Sequence, residues 1–498
     1  MGVDVPSVGS LGYGWVANRC RWIASPLCGG SASYRKVRFQ CAQNVLYIKR
    51  GMPVMPDRLI HKAKDDHRQA LGTLHPRPAS DQPTLTLIGK AVENLSQEVF
   101  DGCEFVPEET VPSLNASFGQ GRPSGGQFWS ILERALDVLP TDGEELSSSV
   151  LSQAACQVLL DPPLDRMVEV SPGRVEVVRS SPLTSWILDR FGSTLDRELI
   201  QPGSGVRLSE PARVGARPSG VPEPCKVRMV TSGDSLFYYR ALSLQKFLHR
   251  RLRSLDVFEF VGKPIDEEAW QRVFPFVLGE DEVYVSGDYK GATDNLNPWL
   301  SEVCWSSIAF AVRYGNDHLA DSLWYDLGLK CLTKHRLHYG KADSDVDAVD
   351  QVWGQLMGSP MSFPVLNLVN ASVTAVGLGW QGVGSVLKFL RSFRVRTNGD
   401  DVTFKCPQLQ YDCWRATVPV AGLSPSLGKN YVSRHFVVMN SEMRMVRTGN
   451  GPESPDGMLP AVWEPLGFCN LPILFGMDAK GQDAGRDVKA KTAWFQLG

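Results

Sequence analysis

The ten residues from Val395 to Phe404, VRTNGDDVTF, constrain the fold of this chain more than any other stretch. Two runs of β-forming residues flank Asn398 and Gly399, and Asn-Gly between such runs is a strong signal for a tight hairpin turn. Asp400 and Asp401 follow that turn, so the hairpin would present two adjacent carboxylates at its tip. Adjacent carboxylates repel each other, and a divalent cation relieves that repulsion. Taken alone, the same pattern is more typical of a surface hairpin.

A third carboxylate follows a separate predicted strand. Glu282 to Ser286, EVYVS, is β-forming, and Asp288 comes directly after Gly287 at the end of that strand. Asn297-Pro298 then predicts the start of a helix, because apolar residues recur at helical spacing after it. Three carboxylates about 4 Å apart would repel by about 4 kcal/mol per pair at an effective dielectric of about 20. If the two elements meet, the sequence predicts a site for Mg²⁺, with Mn²⁺ as the alternative.

A polar stripe lies between the two acidic elements. Gly358 to Asn370, GSPMSFPVLNLVN, predicts a flexible loop that runs into a helix with Pro364 in its first turn. Asn367, Asn370 and Thr374 fall on one side of that otherwise apolar helix. Two interpretations stay open at this point. The amides are satisfied by helix packing, or they form hydrogen bonds to a ribose.

Composition excludes several classes of protein. The chain has 498 residues, 43% of them hydrophobic, and can bury a large core. No GxxxxGK[ST], HExxH or GxSxG pattern is present, which removes the commonest routes to an ATPase, a zinc protease or a serine hydrolase. There is no secretory or myristoylation pattern and no apolar run of membrane-spanning length, so the sequence predicts an intracellular protein. Eleven cysteines fit reduced thiols better than a disulfide framework.

Charge alone does not indicate a nucleic-acid partner, because the net charge is −2. The basic side chains are nevertheless clustered within three stretches, residues 19–50, 246–253 and 388–396. Such clusters indicate either a basic channel on a near-neutral protein or solvated helix faces. Residues 201–224, QPGSGVRLSEPARVGARPSGVPEP, predict an extended loop, either a linker or an ordered strap.

Several strings in the chain resemble the motifs of viral RNA-dependent RNA polymerases. GDYKGATDNL resembles motif A, GSPMSFPVLNLVN motif B, NGDD motif C, SLGKNY motif D, FVVMNSEM motif E, and KVRMVTSGDS motif F. The resemblance covers about residues 220–480. The chain resembles specifically the polymerases of the botourmiavirus (ourmia-like) group, which is related to narnaviruses and leviviruses.

The resemblance implies roles for two groups of residues around the predicted cation site. Asp288, Asp400 and Asp401 would bind magnesium, with Asp401 the least essential of the three. Asp294 and Asn367 would bind the 2′-hydroxyl of the incoming nucleotide, which separates RNA from DNA synthesis.

Four further residues receive roles from the same resemblance. Lys226 and Arg228 would neutralise the triphosphate. Ser359 would position Asp294 or the template. Lys429 would act as a general acid that protonates pyrophosphate.

The fold implied by the resemblance is an α+β right hand with fingers, palm and thumb, in which helices flank an antiparallel palm sheet. The expected divisions are an N-terminal region of the fingers at 1–190, fingers with motif F at 191–280, palm at 281–311, a fingers insertion at 312–350, palm at 351–447 and a short thumb at 448–498. The expected reaction is RNA-templated synthesis of RNA from ribonucleoside triphosphates, in the replication of a positive-strand RNA virus in the host cytoplasm. Host factors are not identifiable.

Two rival functions remain. A reverse transcriptase on the same palm would usually carry a Tyr/Phe-x-Asp-Asp hairpin and an aromatic steric gate, whereas this chain has Asn-Gly-Asp-Asp with the polar pair Asp294 and Asn367. A non-catalytic RNA-binding scaffold is the second rival. Retention of all three aspartates argues against it, because an inactive site has no reason to keep their mutual repulsion.

Overall fold

The computed structural model describes residues 57–108, 112–113, 115–122, 126–137, 164–171, 174–180, 213–223, 226–262, 268, 270, 278–340, 347–426, 430–440, 442–448 and 461–465. The described residues up to 180 contain three α-helices and one hairpin. They are α1 (Asp57–Gly72), α2 (Gln82–Phe100), α3 (Gly126–Asp137), β1 (Leu164–Ser171) and β2 (Arg174–Ser180). No helix among the described residues is both long enough and apolar enough to cross a membrane.

Residues 213–253 form a ribbon of two strands followed by a helix: β3 (Val214–Glu223), β4 (Lys226–Gly233) and α4 (Ser235–Arg253). The linker alternative for residues 201–224 is therefore wrong for β3, whose residues 216–223 pair with β4, and the ordered strap is the alternative consistent with this pairing. Beyond Ala216, β3 has no second strand partner among the described residues, since it pairs with β8 only over its first three residues. That open edge tolerates Pro218 and Pro222, which have no N–H to donate.

The central part of the chain alternates helices and short strands. Its elements are β5 (Glu282–Gly287), α5 (Ala292–Asn295), α6 (Pro298–Ala311), β6 (Arg313–Tyr314), β7 (Asp317–His318), α7 (Leu323–Thr333), β8 (His335–His338), β9 (Ala348–Asp350) and α8 (Ser362–Gly377). The predicted helix start at Asn297 is confirmed, because its side chain accepts a hydrogen bond from the N–H of Trp299 at 3.0 Å.

The C-terminal part supplies the remaining strands and two helices. They are α9 (Val386–Ser392), β10 (Arg396–Asn398), β11 (Asp401–Pro407), α10 (Gln408–Thr417), β12 (Tyr431–Ser433), β13 (Phe436–Met439), β14 (Glu442–Thr448) and β15 (Ala461–Pro465). β15 pairs with β14, so the predicted division at residue 447 falls within one sheet.

An antiparallel sheet in the order β10-β11-β5-β12 lies at the centre of the described structure. Both faces of β5 are covered. Val283 and Val285 belong to the main core with Trp414 of α10, and Tyr284 belongs to a second cluster with Val437 and Met439 of β13. The alternation follows from the two-residue period of a strand. The predicted α+β class, with helices flanking an antiparallel sheet, is confirmed for the described residues.

Helix α8 is the central helix of the main core. All of its residues except Phe363 are buried, and it packs against α2, α6, α10 and the hairpin strand β10. A helix that is apolar on every side is stable only when surrounded by other elements. This explains why its few polar side chains, such as Asn367 and Asn370, must find partners inside the protein.

A second sheet, which is mixed, has the strand order β4-β3-β8-β9. It joins the ribbon at 214–233 to strands from 335–350, which are far apart in the sequence. The predicted fingers with motif F and the predicted fingers insertion therefore contribute to the same sheet. The N–H of Thr231 in β4 donates to the carbonyl of Met357 at 2.7 Å, which ties this sheet to the loop before α8.

Glu98 of α2 caps the start of α9. Its carboxylate accepts hydrogen bonds from the N–H groups of Val386 at 2.8 Å and Leu387 at 3.1 Å and from the hydroxyl of Ser385 at 2.6 Å. We expect Glu98→Ala to lower the free energy of unfolding by about 1–2 kcal/mol, since helix N–H groups lose an anionic acceptor. Urea denaturation would measure this. The matched control is Glu93→Ala, an exposed residue of the same helix, and equal losses in the two variants would contradict the capping role.

Candidate active site

The acidic hairpin forms, but its turn lies one residue later than predicted. Asn398 is the last residue of β10 and pairs with Asp401, so the two turn residues are Gly399 and Asp400. Gly399 has φ of +70°, and a Cβ added there would lie 2.7 Å from the ring of Phe363. Glycine is therefore required at this position both by the backbone and by its neighbour. Asp400 is exposed at the tip, and Asp401 is half-buried at the start of β11.

The sheet register brings Asp288 to the same end of the hairpin. Gly287 pairs with Val402, so Asp288 leaves β5 where Asp401 enters β11. Asp288 is half-buried. Within the described part of the chain, no three His, Cys, Asp or Glu side chains are grouped closely enough, as they stand, to hold a metal ion. What the structure shows is that the three aspartates lie at the same end of the adjoining strands β5 and β11.

Asn430 holds the backbone of Asp288 and was missed by sequence reasoning. Its side-chain oxygen accepts from the N–H of Asp288 at 3.2 Å, and its nitrogen donates to the carbonyls of Asp288 at 2.9 Å and Ser426 at 2.7 Å. The N–H of Ser426 also donates to the Asp288 carbonyl at 2.8 Å. The available signal was its place in the string SLGKNY, directly after Lys429.

Asn440 supports the other strand and was also missed. Its N–H donates to Oδ2 of Asp401 at 3.2 Å, and its side-chain oxygen accepts from Asn398 at 2.7 Å. Asn440 has φ of +51°, in the left-handed region that asparagine tolerates better than most residues. The turn between β13 and β14 therefore orients one of the three carboxylates.

Helix α8 contacts the hairpin turn through two amides. Oδ1 of Asn367 accepts from the N–H of Gly399 at 2.7 Å, and Nδ2 of Asn370 donates to the carbonyl of Gly399 at 2.9 Å. Nδ2 of Asn367 donates to the carbonyl of Phe363 at 2.8 Å. Both asparagines have 0% exposure. The polar stripe is thus satisfied inside the protein, by the turn that carries Asp400. The ribose contact of Asn367 stays a prediction.

Asp294, the predicted ribose ligand, lies in α5 beside helix α1. Burial raises the pKa of its carboxyl group, while the electrostatic interaction with His67 and a hydrogen bond from Thr293 at 3.1 Å oppose that shift. His67 is 4% exposed, its pKa is lowered by burial, and its Nδ1 lies 2.8 Å from the hydroxyl of Tyr339. Sequence reasoning missed His67, since nothing in α1 indicates that it reaches Asp294.

The other predicted residues lie at three different places. Lys226 and Arg228 lie on the same face of β4, because residues two apart on a strand point in the same direction, and both are exposed. Ser359 is buried, where its hydroxyl donates to the carbonyl of Cys331 and accepts from the N–H of Met361 at 3.3 Å. Lys429 falls outside the described residues.

The solved structures that are similar to this chain include two crystal structures of the RNA-dependent RNA polymerase of a human picobirnavirus. One of them is 14% identical and has a TM-score of 0.46, with 93% of this chain and 80% of that chain covered. The insertion-loop deletion mutant is 15% identical with a TM-score of 0.45, over 88% and 75% of the two chains. No family model matches the chain.

Sequence comparison gives a stronger match. The RNA-dependent RNA polymerase of Ourmia melon virus (isolate Melon/Iran/VE9) is 31% identical over 444 residues, which cover 84% of this chain. They cover 47% of the viral protein, so the chain spans about half the length of this relative. Over those 444 residues the chain is therefore a homologue of the Ourmia melon virus RNA-dependent RNA polymerase, as its motif strings predict.

Proposed function

We propose that this chain synthesises RNA on an RNA template, transferring nucleotides from ribonucleoside triphosphates to the 3′-hydroxyl of a growing strand. The observation that carries the proposal is the pairing of Gly287 with Val402, which brings Asp288 to the hairpin that carries Asp400 and Asp401. The partners would be the RNA template, the product strand and the four ribonucleoside triphosphates. The biological role would be replication of a positive-strand RNA virus genome in the host cytoplasm.

The donor chemistry of the site fits Mg²⁺, with Mn²⁺ as a substitute. Asp288, Asp400 and Asp401 offer carboxylate oxygens only, and hard divalent cations prefer oxygen ligands. The exposure of Asp400 leaves room on the solvent side for water and phosphate oxygens. When bound, a pair of such ions would activate the attacking hydroxyl and stabilise the leaving pyrophosphate.

The remaining side chains would bind and orient the substrate. Lys226 and Arg228, exposed on β4, would neutralise the triphosphate, which carries several negative charges. Asp294 would accept a hydrogen bond from the 2′-hydroxyl, with Asn367 and Ser359 supporting the same nucleotide. Lys429 would donate a proton to pyrophosphate.

The architecture proposed for these parts is a right hand. The sheet β10-β11-β5-β12 with α6, α8 and α10 would be the palm, and the ribbon β3-β4 with β8 and β9 would belong to the fingers. Residues before 191 would extend the fingers, and those after 447, which include β15, would form the thumb.

Primer extension with the purified chain tests the proposal. The reaction would contain a short RNA template, ribonucleoside triphosphates and Mg²⁺, beside matched reactions with a DNA template or deoxynucleotides. RNA product on the RNA template supports the proposal. A preference for deoxynucleotides would indicate a reverse transcriptase, and RNA binding without product under Mg²⁺ or Mn²⁺ would indicate a scaffold.

Asp294→Ala should weaken the choice of ribonucleotides. We expect the ratio of kcat/KM for CTP to that for dCTP to fall about tenfold, because a hydrogen bond to a charged acceptor contributes about 1.5–3 kcal/mol. Single-nucleotide incorporation would measure the ratio. Asp326→Ala, an exposed residue of α7, is the control. An unchanged ratio in Asp294→Ala would remove this residue from ribose recognition.

A further inference from the structure

The side chain of Asn370 connects the two halves of the candidate active site. Its Oδ1 accepts a hydrogen bond from the hydroxyl of Tyr289 at 2.9 Å, and its Nδ2 donates to the carbonyl of Gly399 at 2.9 Å. Tyr289 is the residue after Asp288, and Gly399 is the residue before Asp400. One planar amide therefore links the side chain of the residue after one proposed metal ligand with the backbone of the residue before another.

We propose that Asn370 is a positioning residue that sets the separation of Asp288 from Asp400, an inference that rests on the proposed function. The three groups of the link are all buried, with Asn370 at 0% and Tyr289 at 3% exposure. Water is therefore not available to replace either hydrogen bond. An amide whose donor and acceptor are both occupied cannot shift toward one partner without losing the other.

Neighbouring contacts make the link rigid. Asn367 holds the N–H of Gly399 while Asn370 holds its carbonyl, so α8 binds both polar groups of that residue. On the Tyr289 side, the hydroxyl of Thr374 in α8 accepts a hydrogen bond from the indole N–H of Trp414 at 3.3 Å. The ring centroids of Trp414 and Tyr289 are 6.2 Å apart. A displacement of α8 would thus reach the turn with Asp400 and the end of β5 together.

The chain offers a matched control on the same helix. Ser372 is also 0% exposed and also loses a hydrogen bond when truncated, but its hydroxyl donates to the carbonyl of Leu368 within α8. Ser372→Ala therefore perturbs the buried helix without touching the link. Tyr289→Phe removes a single hydroxyl and preserves the ring, which gives a second and milder variant.

The first measurement is Mn²⁺ binding by electron paramagnetic resonance, without RNA or nucleotides. We expect Asn370→Leu to raise the Mn²⁺ dissociation constant about tenfold, equivalent to about 1.4 kcal/mol, and Tyr289→Phe to raise it about threefold. Ser372→Ala should bind Mn²⁺ like the wild type. The double variant should bind Mn²⁺ about as weakly as Asn370→Leu alone, because both changes break the same link.

The second measurement is steady-state RNA synthesis. Asn370→Leu should lower kcat about tenfold or more and raise the Mg²⁺ concentration for half-maximal activity, with the KM for ribonucleotides changed by less than about twofold. Unchanged Mn²⁺ binding in folded Asn370→Leu and Tyr289→Phe would overturn the positioning role. If the wild type binds Mn²⁺ and the variants bind it weakly, but no RNA is made, the link stands and the proposed function fails.

Discussion

Asp400→Asn should reduce RNA synthesis by about a thousandfold or more. Asparagine has nearly the same shape as aspartate, but it removes one of the three negative charges at the end of the sheet. Loss of a metal carboxylate removes several kcal/mol of transition-state stabilisation, and about 4 kcal/mol corresponds to a thousandfold in rate. Primer extension on an RNA template, with product quantified under single-turnover conditions, measures the effect.

Asp400→Asn should lose activity without losing stability. Asp400 is exposed in the turn, so its replacement creates no cavity, and the removal of a charge near Asp288 and Asp401 reduces repulsion. We expect an unchanged or slightly higher unfolding temperature in the absence of metal. Asp317→Asn, on the exposed strand β7, is the control for a surface Asp-to-Asn change. Activity in Asp400→Asn above a tenth of the wild type would reject the metal role.

Gly358→Ala should destabilise the protein by about 3 kcal/mol. Gly358 has φ of +119°, and a Cβ at this position would lie 2.2 Å from the carbonyl oxygen of Thr231. The neighbour is backbone, and the N–H of the same Thr231 is hydrogen-bonded to Met357, so β4 cannot move away cheaply. Backbone strain and overpacking each cost about 1–3 kcal/mol. Urea denaturation gives the free energy of unfolding.

Gly379→Ala separates the two causes. Gly379 has φ of +107°, close to that of Gly358, but a Cβ there would have nothing within 4 Å. The stability lost in Gly379→Ala should therefore report backbone strain alone. The additional stability lost in Gly358→Ala should report the contact of the new methyl group with β4. Because Lys226 and Arg228, the proposed triphosphate ligands, lie on β4, the proposed function predicts that Gly358→Ala also lowers nucleotide binding in whatever fraction stays folded. Equal losses of stability in Gly358→Ala and Gly379→Ala would mean that β4 moves away from the new methyl group at no energetic cost.

Local sequence patterns predicted the elements around the acidic residues well. The strand before Asp288, the helix start at Asn297 and the helix that contains Asn367 all depend on neighbours within a few residues, and the structure confirms them. The hairpin is confirmed too, but its turn is Gly399-Asp400 instead of Asn398-Gly399. Register depends on pairing with β5 and on the contacts of Gly399 with α8, which an isolated Asn-Gly pattern does not contain.

Other parts of the site depended on contacts between residues distant in sequence. Asn430 reaches Asp288 across 142 positions, and His67 acts on Asp294 from a helix near the start of the described chain. The prolines and glycines of residues 201–224 predict a loop, yet β3 forms there because, among the described strands, it has no partner on its second edge beyond Ala216 and so tolerates proline. Such contacts become visible only when the chain has folded.

Reading along the chain is enough to say which residues carry negative charge, which element each follows, and which viral polymerase the chain is related to. These properties are local or shared with a relative, so they can be read along the chain. Folding in three dimensions brings Asp288 and Asp401 to one end of a sheet and brings Asn367 and Asn370 into contact with the turn next to Asp400. The physical reason is that buried amides must find hydrogen-bond partners, and only the packing of α8 against the hairpin determines which partners are within reach.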